Sequence, residues 1–320
     1  MSRRTRKRPV MLRRLTHMSD RLVVIQVNRK AGTGRRHANV RALISRLRTH
    51  GFRVRPFSKP DRLDQFLAEI ALRPWCIVAG GGDGTVGSIL NRFPDIPVAI
   101  LPAGTENLLA KYLRVPVSGR EIADVIAAGH VRRLDLGIAS GHRFTLMASA
   151  GFDADVVHRL DAVRTGSISK FTYVQPILAS LRNYRHPPLR VVVDGFGEAL
   201  PARLVLVFNL PAYARGLPVA SGARGDDGVL DLRVFERGSG FQMIRYCYKV
   251  AIGSHEALSD VRVIRARQVR IESDEPVPLQ LDGDPAGTTP VDISVEAGAA
   301  QFLVPQSIPS SQAVESQSSL

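Results

Sequence analysis

From Leu22 to Leu113 the chain alternates apolar runs of strand formers with segments patterned for helices, and that alternation leaves few folds open. "LVVIQV" (22–27) is a continuous apolar run, as a strand buried on both faces of a parallel sheet requires. Val40, Leu43, Ile44 and Leu47 then fall at i, i+3, i+4 and i+7, the apolar face of a helix, with Gly51 where a C-cap glycine belongs. "FRVRPF" is followed by a helical face of Leu63, Phe66, Leu67 and Ile70, "WCIVAG" by a helix after Thr85, and "VAILPAG" by "TENLLAKYL". Strand-then-helix units of this kind predict a parallel sheet with its ligand at the carboxyl ends of the strands.

The texture changes after about residue 130. "HVRRLDLGIASGHRFTLMASAGF" predicts two strands around a turn at Ser140 and Gly141, and a helical insert runs from Asp153 to about Tyr184. Short β-like runs follow: "LRVVVDG", "ARLVLVFN", "VLDLRVF", "VRVIRARQVRIES", "VPLQLDG" and "VDISVE". Many short strands with Gly, Pro and Asp turns imply antiparallel β structure. The predicted class is α/β, an N-terminal parallel-sheet nucleotide-binding domain followed by a C-terminal antiparallel β-sandwich domain. Residues 21–135 form the first domain and 136–305 the second. The basic arm at 1–20 and the Ser/Gln-rich tail at 306–320 are expected to be disordered.

A net charge of +15 points to an anionic partner. Up to Arg21, eight Lys and Arg residues oppose Asp20 alone, so that arm carries about half of the excess. It reads as a solvated tail or as an electrostatic contact to anionic lipid. Without an aromatic residue to stack on bases, nucleic acid is not expected as a partner. No apolar run approaches the roughly 20 residues of a membrane span, so any membrane contact is peripheral and the expected location is cytoplasmic, on the inner face of the membrane where it docks. Cys76 and Cys247 have no CxxC spacing and read as buried reduced thiols, against a zinc site.

Within "VAGGGDGTVG" (78–87) glycines surround one acid and one hydroxyl at the end of a strand. Such a run lets backbone N–H groups approach an anion, and the helix that follows adds its dipole, which is phosphate chemistry. Neither a Walker loop nor a matched GxGxxG is present.

These residues resemble the diacylglycerol kinase and sphingosine kinase catalytic family, in its soluble bacterial lipid kinase subgroup. "GGGDGT" is similar to the family signature, "VNRKAGTGR" to its first nucleotide loop and "PAGTEN" to its Gly-Thr-x-Asn element. "GFDADVV", "DDGVLD" and "LDGDPAG" follow in the family's order. The resemblance implies ATP and Mg2+ as cofactors and a lipid acceptor. It places ATP on Asn28, Arg29, Lys30, Ala31 and Gly32, on Gly81, Gly82, Asp83, Gly84, Thr85, Val86 and Gly87, and on Thr105, with Ser58 a further candidate.

By the same resemblance, Asp284 stands at the family's Glu position, the proton acceptor, although an aspartate is one methylene shorter. Asp282 is the fallback base or a metal partner, and Asp83 can hold magnesium. A structural magnesium would take the side chain of Asp227 and the carbonyls of Arg224 and Val229, oxygen ligands that suit the ion. The chain departs from the family pattern at Leu108, where an acid is common, and at Gly87, where Asn is common. The implied activity is an ATP-dependent lipid kinase acting on a diacylglycerol-like or sphingoid-like hydroxyl at the membrane surface. The rivals are a soluble small-molecule kinase such as an NAD kinase and a non-catalytic basic lipid-binding module; the oligomeric state is left open.

Overall fold

The computed structural model describes residues 10–11, 21–28, 35–70, 72–162, 174–183, 187–194, 197–211, 217 and 219–306. Arg29, Lys30, Ala31 and Gly32 lie outside the described residues, as do most of the basic arm and nearly all of the Ser/Gln-rich tail.

Strand β1 (Val10–Met11) pairs only with a later strand. The alternating half begins with β2 (Leu22–Val27), α1 (Arg35–Thr49), β3 (Arg53–Phe57) and α2 (Pro60–Glu69). It continues with β4 (Cys76–Gly81), α3 (Asp83–Arg92), β5 (Val98–Pro102), α4 (Leu108–Tyr112) and α5 (Gly119–Ala128). β3, β2, β4 and β5 lie side by side, all parallel. Alternation along each strand sends side chains to opposite faces. Val23, Ile25, Cys76, Val78 and Leu101 pack under Leu43 and Leu47 of α1 and Ile122 and Ile126 of α5. Val24, Ile77, Ala79 and Ile100 pack on the other side against Leu63, Val86, Ile89 and Leu109. A fully buried aliphatic side chain contributes on the order of 2 kcal/mol, so both faces hold the sheet between helices.

Helix boundaries differ from the sequence reading. α3 starts at Asp83, ahead of Thr85, because Gly82 rather than the hydroxyl residue supplies the extended N-cap. Only 108–112 of "TENLLAKYL" is helical, since Asn107 adopts φ 50 and breaks the run. The helix at 119–128 was not anticipated.

The second half comprises β6 (His130–Ala139), β7 (His142–Phe144), β8 (Met147–Gly151), α6 (Phe152–Ala162) and α7 (Val174–Asn183). β9 (Leu189–Val193), β10 (Leu200–Ala202), β11 (Leu204–Phe208), β12 (Leu230–Phe235) and α8 (Gly240–Ala251) follow. The last strands are β13 (Val261–Ala266), β14 (Gln268–Ser273), β15 (Pro278–Leu281), β16 (Asp284–Thr288) and β17 (Val291–Leu303). One antiparallel sheet runs β13-β12-β11-β8-β15-β16. It packs on the β10-β9-β14-β17 portion of the other sheet, with Val205, Val207, Leu232 and Val234 against Val191, Val269, Ile271 and Ile293. This is a β-sandwich, as expected.

The sequence did not show how the halves join. β17 pairs antiparallel with β14 and β6, and Phe302 pairs in parallel with Val98 of β5. The chain's last strand therefore links one sandwich sheet to the nucleotide-type sheet in a single hydrogen-bonded sheet of eleven strands. β6 spans 130–139 without a break across position 135.

Cys76 is fully buried and its thiol pKa is pushed up by that burial. Cys247 is exposed on α8, contrary to the expectation, because Met243 and Tyr246 take the inward positions of that helix. In the helical insert, Ile177 and Leu181 pack on the core; Phe171 and the side chains of Val174 and Leu178 lie outside the described residues.

Candidate active site

Three segments meet at the carboxyl ends of β2, β4 and β5, and backbone bonds tie them together. Asn28 N–H donates to the Gly80 carbonyl (2.9 Å) and Ala103 N–H to the Gly81 carbonyl (3.0 Å). A Cβ on Gly104 would stand 2.5 Å from the Gly82 Cα, so the glycine loop and the 103–107 turn touch backbone to backbone. Asn107 closes that turn: Oδ1 accepts from Gly104 N–H (2.9 Å) and Nδ2 donates to the Gly104 carbonyl (2.8 Å). Its left-handed conformation is one that asparagine tolerates.

The glycine run thus has two jobs. Gly82 and Gly104 permit the close packing of the two loops, and a side chain on Gly81 would collide with Thr85. Gly87 faces open space, and a Cβ on Gly84 would meet one atom within 4 Å, Asp284 Oδ2 at 3.9 Å. Only these last two positions leave room for a ligand. Thr85 is 7% exposed, and its Oγ1 accepts from Asn28 Nδ2 (3.4 Å). The Val86 side chain lies in the core and its N–H is bonded to the Gly82 carbonyl. Both side chains close the loop rather than project from it. Thr105 and Ser58 are exposed, Thr105 in the 103–107 turn and Ser58 just past β3.

Asp83 sits in the first turn of α3 and accepts from Leu108 N–H on Oδ2 and Leu109 N–H on Oδ1, each at 3.0 Å. It caps α4 and so fixes the 103–107 turn from its far side. At the other end of α4, Tyr112 Oη accepts from Gly225 N–H (3.3 Å). A five-residue helix therefore connects the glycine loop to the loop that carries Arg224 and Asp227.

Asp284 opens β16. The hairpin between β15 and β16 turns at Asp282 and Gly283, with φ 51 and 88, the positive values of a type I′ turn. The Asp282 carboxylate accepts four hydrogen bonds: Thr145 N–H (2.7 Å), Thr145 Oγ1 (2.8 Å), Leu146 N–H (2.8 Å) and Met147 N–H (3.0 Å). Burial pushes its pKa up from the ordinary carboxylate value, while these four bonds pull it down. A carboxylate has about four lone-pair positions, and here all are filled by the segment joining β7 to β8. Asp282 therefore clamps the hairpin to the fold.

A second clamp was not anticipated at all. Gln280 Oε1 accepts from Gly283 N–H (2.8 Å), and its Nε2 donates to Ser149 Oγ (3.0 Å) and Asp153 Oδ2 (3.2 Å). Its one signal in the sequence is a polar residue within the apolar run "VPLQL".

Two models of protein families match the chain: the diacylglycerol kinase catalytic domain over 21–139, and the YegS C-terminal NAD kinase beta sandwich-like domain over 146–304. A diacylglycerol kinase of Mycobacterium tuberculosis (strain CDC 1551 / Oshkosh) is 29% identical over 296 residues, 89% of this chain and 95% of that protein. The chain carries a diacylglycerol kinase catalytic domain joined to a YegS C-terminal domain. It is a lipid kinase. A diacylglycerol kinase of Staphylococcus carnosus (strain TM300) is 25% identical over 221 residues, 67% of this chain and 71% of that protein. The fold is shared with a crystal structure of a diacylglycerol kinase from Bacillus anthracis str. Sterne, with a TM-score of 0.67 at 24% identity, covering 90% of this chain and 97% of that one.

Members of a kinase family use a nucleotide and a divalent metal. No group of three or more His, Cys, Asp or Glu placed to hold a metal ion occurs among the described residues. The Oδ1 of Asp227 is nonetheless buried without a hydrogen-bond partner, while its Oδ2 is ion-paired to Arg265. Asp135 holds the loop beside it, accepting from Gly228 N–H (2.7 Å) and Gly298 N–H (2.6 Å). One orphaned carboxylate oxygen in a loop fixed on both sides fits a cation completed by backbone carbonyls.

If Gly84 is the open ligand position, Gly84→Ala separates stability from function. Alanine in the first turn of α3 should stabilise the fold slightly, by up to about 1 kcal/mol of helix propensity, and so raise the melting temperature. Nucleotide affinity should fall about tenfold, or about 1.4 kcal/mol, as the methyl group fills the space a phosphate needs. Calorimetry of nucleotide binding beside a thermal melt reads both, and unchanged affinity would remove Gly84 from the site.

Proposed function

We propose that the chain transfers the γ-phosphate of ATP to the hydroxyl of a diacylglycerol-like lipid at a membrane surface. The observation that carries this reading is the position of the Asp284 carboxylate over Gly84, where a base from one half of the fold faces the glycine loop of the other. Residues 21–135 hold ATP and 136–305 hold the lipid.

Asn28 with the 29–32 segment, the 81–87 loop, Thr105 and Ser58 position the nucleotide, with the open sides of Gly84 and Gly87 receiving phosphate oxygens at the α3 N-terminus. Asp83 and Asp227, the latter with the carbonyls of Arg224 and Val229, would hold magnesium. Bound there, the metal neutralises charge on the phosphates. Asp284 accepts the proton of the acceptor hydroxyl as that oxygen attacks phosphorus and ADP leaves. Asp282 and Gln280 keep the carboxylate of Asp284 at the loop. The names of the relatives support diacylglycerol over a sphingoid base as acceptor.

Transfer of labelled phosphate from ATP and magnesium to a panel of lipids in mixed micelles tests the proposal, with NAD as a soluble acceptor alongside, because the C-terminal family is described as NAD kinase-like. Labelled phosphatidic acid from diacylglycerol is the expected product. Label in NAD but in no lipid would overturn the proposal.

A further inference from the structure

The α8 helix carries apolar residues on both sides. Met243 and Tyr246 face inward, and Asp260 anchors that side through Arg245 (2.8 and 3.1 Å) and the Tyr246 hydroxyl (2.9 Å). On the opposite side Phe241, Ile244, Tyr248 and Ile252 are 73, 55, 61 and 53% exposed. Their spacing of three, four and four residues makes one stripe along the helix. Scattered exposed apolar residues are ordinary, but four large ones aligned on a single face require a covering partner.

Three further observations identify that partner as a lipid surface rather than another protein face. From Arg237 to His255 the sequence holds no Asp or Glu, while Arg237, Arg245 and Lys249 are cationic. Among the described residues the acid ion-paired with this segment, Asp260, is 4% exposed, so the charge on the outer surface of the segment is carried by its cations. The stripe also pairs an aromatic residue near each end, Phe241 and Tyr248, with aliphatics between and beyond, the composition of an interfacial helix. Last, α8 adjoins the candidate active site through packed helices: α8 lies on α7, α7 on α6, and α6 on β15 and β16, where Asp284 begins. Asp153, which is bonded to Gln280, acts electrostatically on Cys247 of α8.

We propose that the exposed face of α8, Phe241, Ile244, Tyr248 and Ile252 with Arg237 and Lys249 beside it, docks the enzyme on an anionic phospholipid bilayer. The apolar stripe enters the boundary between headgroups and acyl chains while the cations meet lipid phosphates. Docking on this side brings the α6–α7 layer, and the site behind it, to the surface from which a lipid acceptor is drawn. The inference rests on the lipid kinase reading, and names the surface by which that site reaches its substrate.

The test uses the full chain and vesicles of equal parts phosphatidylcholine and phosphatidylglycerol. Co-sedimentation is compared among wild type, Phe241→Ser/Ile244→Ser/Tyr248→Ser and Lys249→Glu/Arg237→Glu. All five substituted positions are on or beside the helix surface, and thermal melts check that each variant is folded. The triple variant is expected to lose at least about tenfold in vesicle partitioning. The charge variant should lose affinity for these vesicles and little for pure phosphatidylcholine, and wild-type binding should weaken with added salt. Phosphorylation of a short-chain, water-soluble diacylglycerol should be the same in all three proteins. Undiminished vesicle binding by the triple variant would overturn the proposal. So would sedimentation showing a wild-type dimer that the triple variant dissolves while vesicle binding persists, which would make the stripe a seam between copies. Failure of wild type to phosphorylate any lipid would refute the proposed function, whereas the binding comparison bears on this surface alone.

Discussion

Asp284→Asn is expected to lower kcat for lipid phosphorylation by about 10² to 10⁴, the usual contribution of a positioned general base. The KM for ATP should stay close to that of wild type. The side chain is exposed at the start of β16, so its loss of charge should leave the melting temperature unchanged. What makes the effect catalytic is position: the Asp284 carboxylate is 3.9 Å from where a Gly84 Cβ would stand, the nearest atom from outside the glycine's own helical turn. Asp284→Glu is the informative companion. It restores the family's usual residue and moves the carboxylate on the order of 1 Å toward the loop, so it should retain activity within roughly tenfold. Steady-state kinetics of the two variants decide the matter, and wild-type kcat in Asp284→Asn would require another base.

Asp282→Ala is expected to act mainly on stability, the reverse of its neighbour two residues on. Removing the carboxylate strands three backbone N–H groups and the Thr145 hydroxyl. Each buried donor left without a partner costs about 1–3 kcal/mol. Even if water replaces most of the lost acceptors, a loss of at least about 3 kcal/mol should remain, lowering the melting temperature by roughly 6 °C or more. Asp282→Asn should be nearly as damaging, because its amide NH2 would point at N–H donors. Activity would fall in both variants, since the hairpin that presents Asp284 loses its anchor. An Asp282→Asn protein with wild-type melting behaviour and no turnover would return the residue to the reaction itself.

The contrast between these two aspartates shows where sequence reading stopped. "LDGD" carries both within one hairpin, and Asp before Gly announced a turn. Nothing in the tetrapeptide distinguished the residue whose carboxylate is filled by four donors from the one that faces a glycine 200 positions earlier in the chain. The glycine run was legible as a phosphate-type loop, yet its glycines differ in purpose. Gly82 and Gly104 exist for each other, a relation between two loops that each look locally self-sufficient. Asn107 and Gln280 were missed as clamps because their partners, Gly104 and Gly283, are backbone groups that leave no mark on composition.

The sequence by itself determined the strand-and-helix alternation, the class of each half and the loops at which chemistry gathers. Each of these depends on local periodicity, turn chemistry or glycine spacing, all written in neighbouring residues. Only the tertiary structure decided that β17 at the end of the chain seals both halves into one sheet through Phe302 and Val98. It alone set Asp284 over Gly84 and turned the stripe of α8 outward. Those outcomes depend on which distant surfaces must meet to bury the apolar faces of the strands, and a strand or helix states only that it has such a face, not what will cover it.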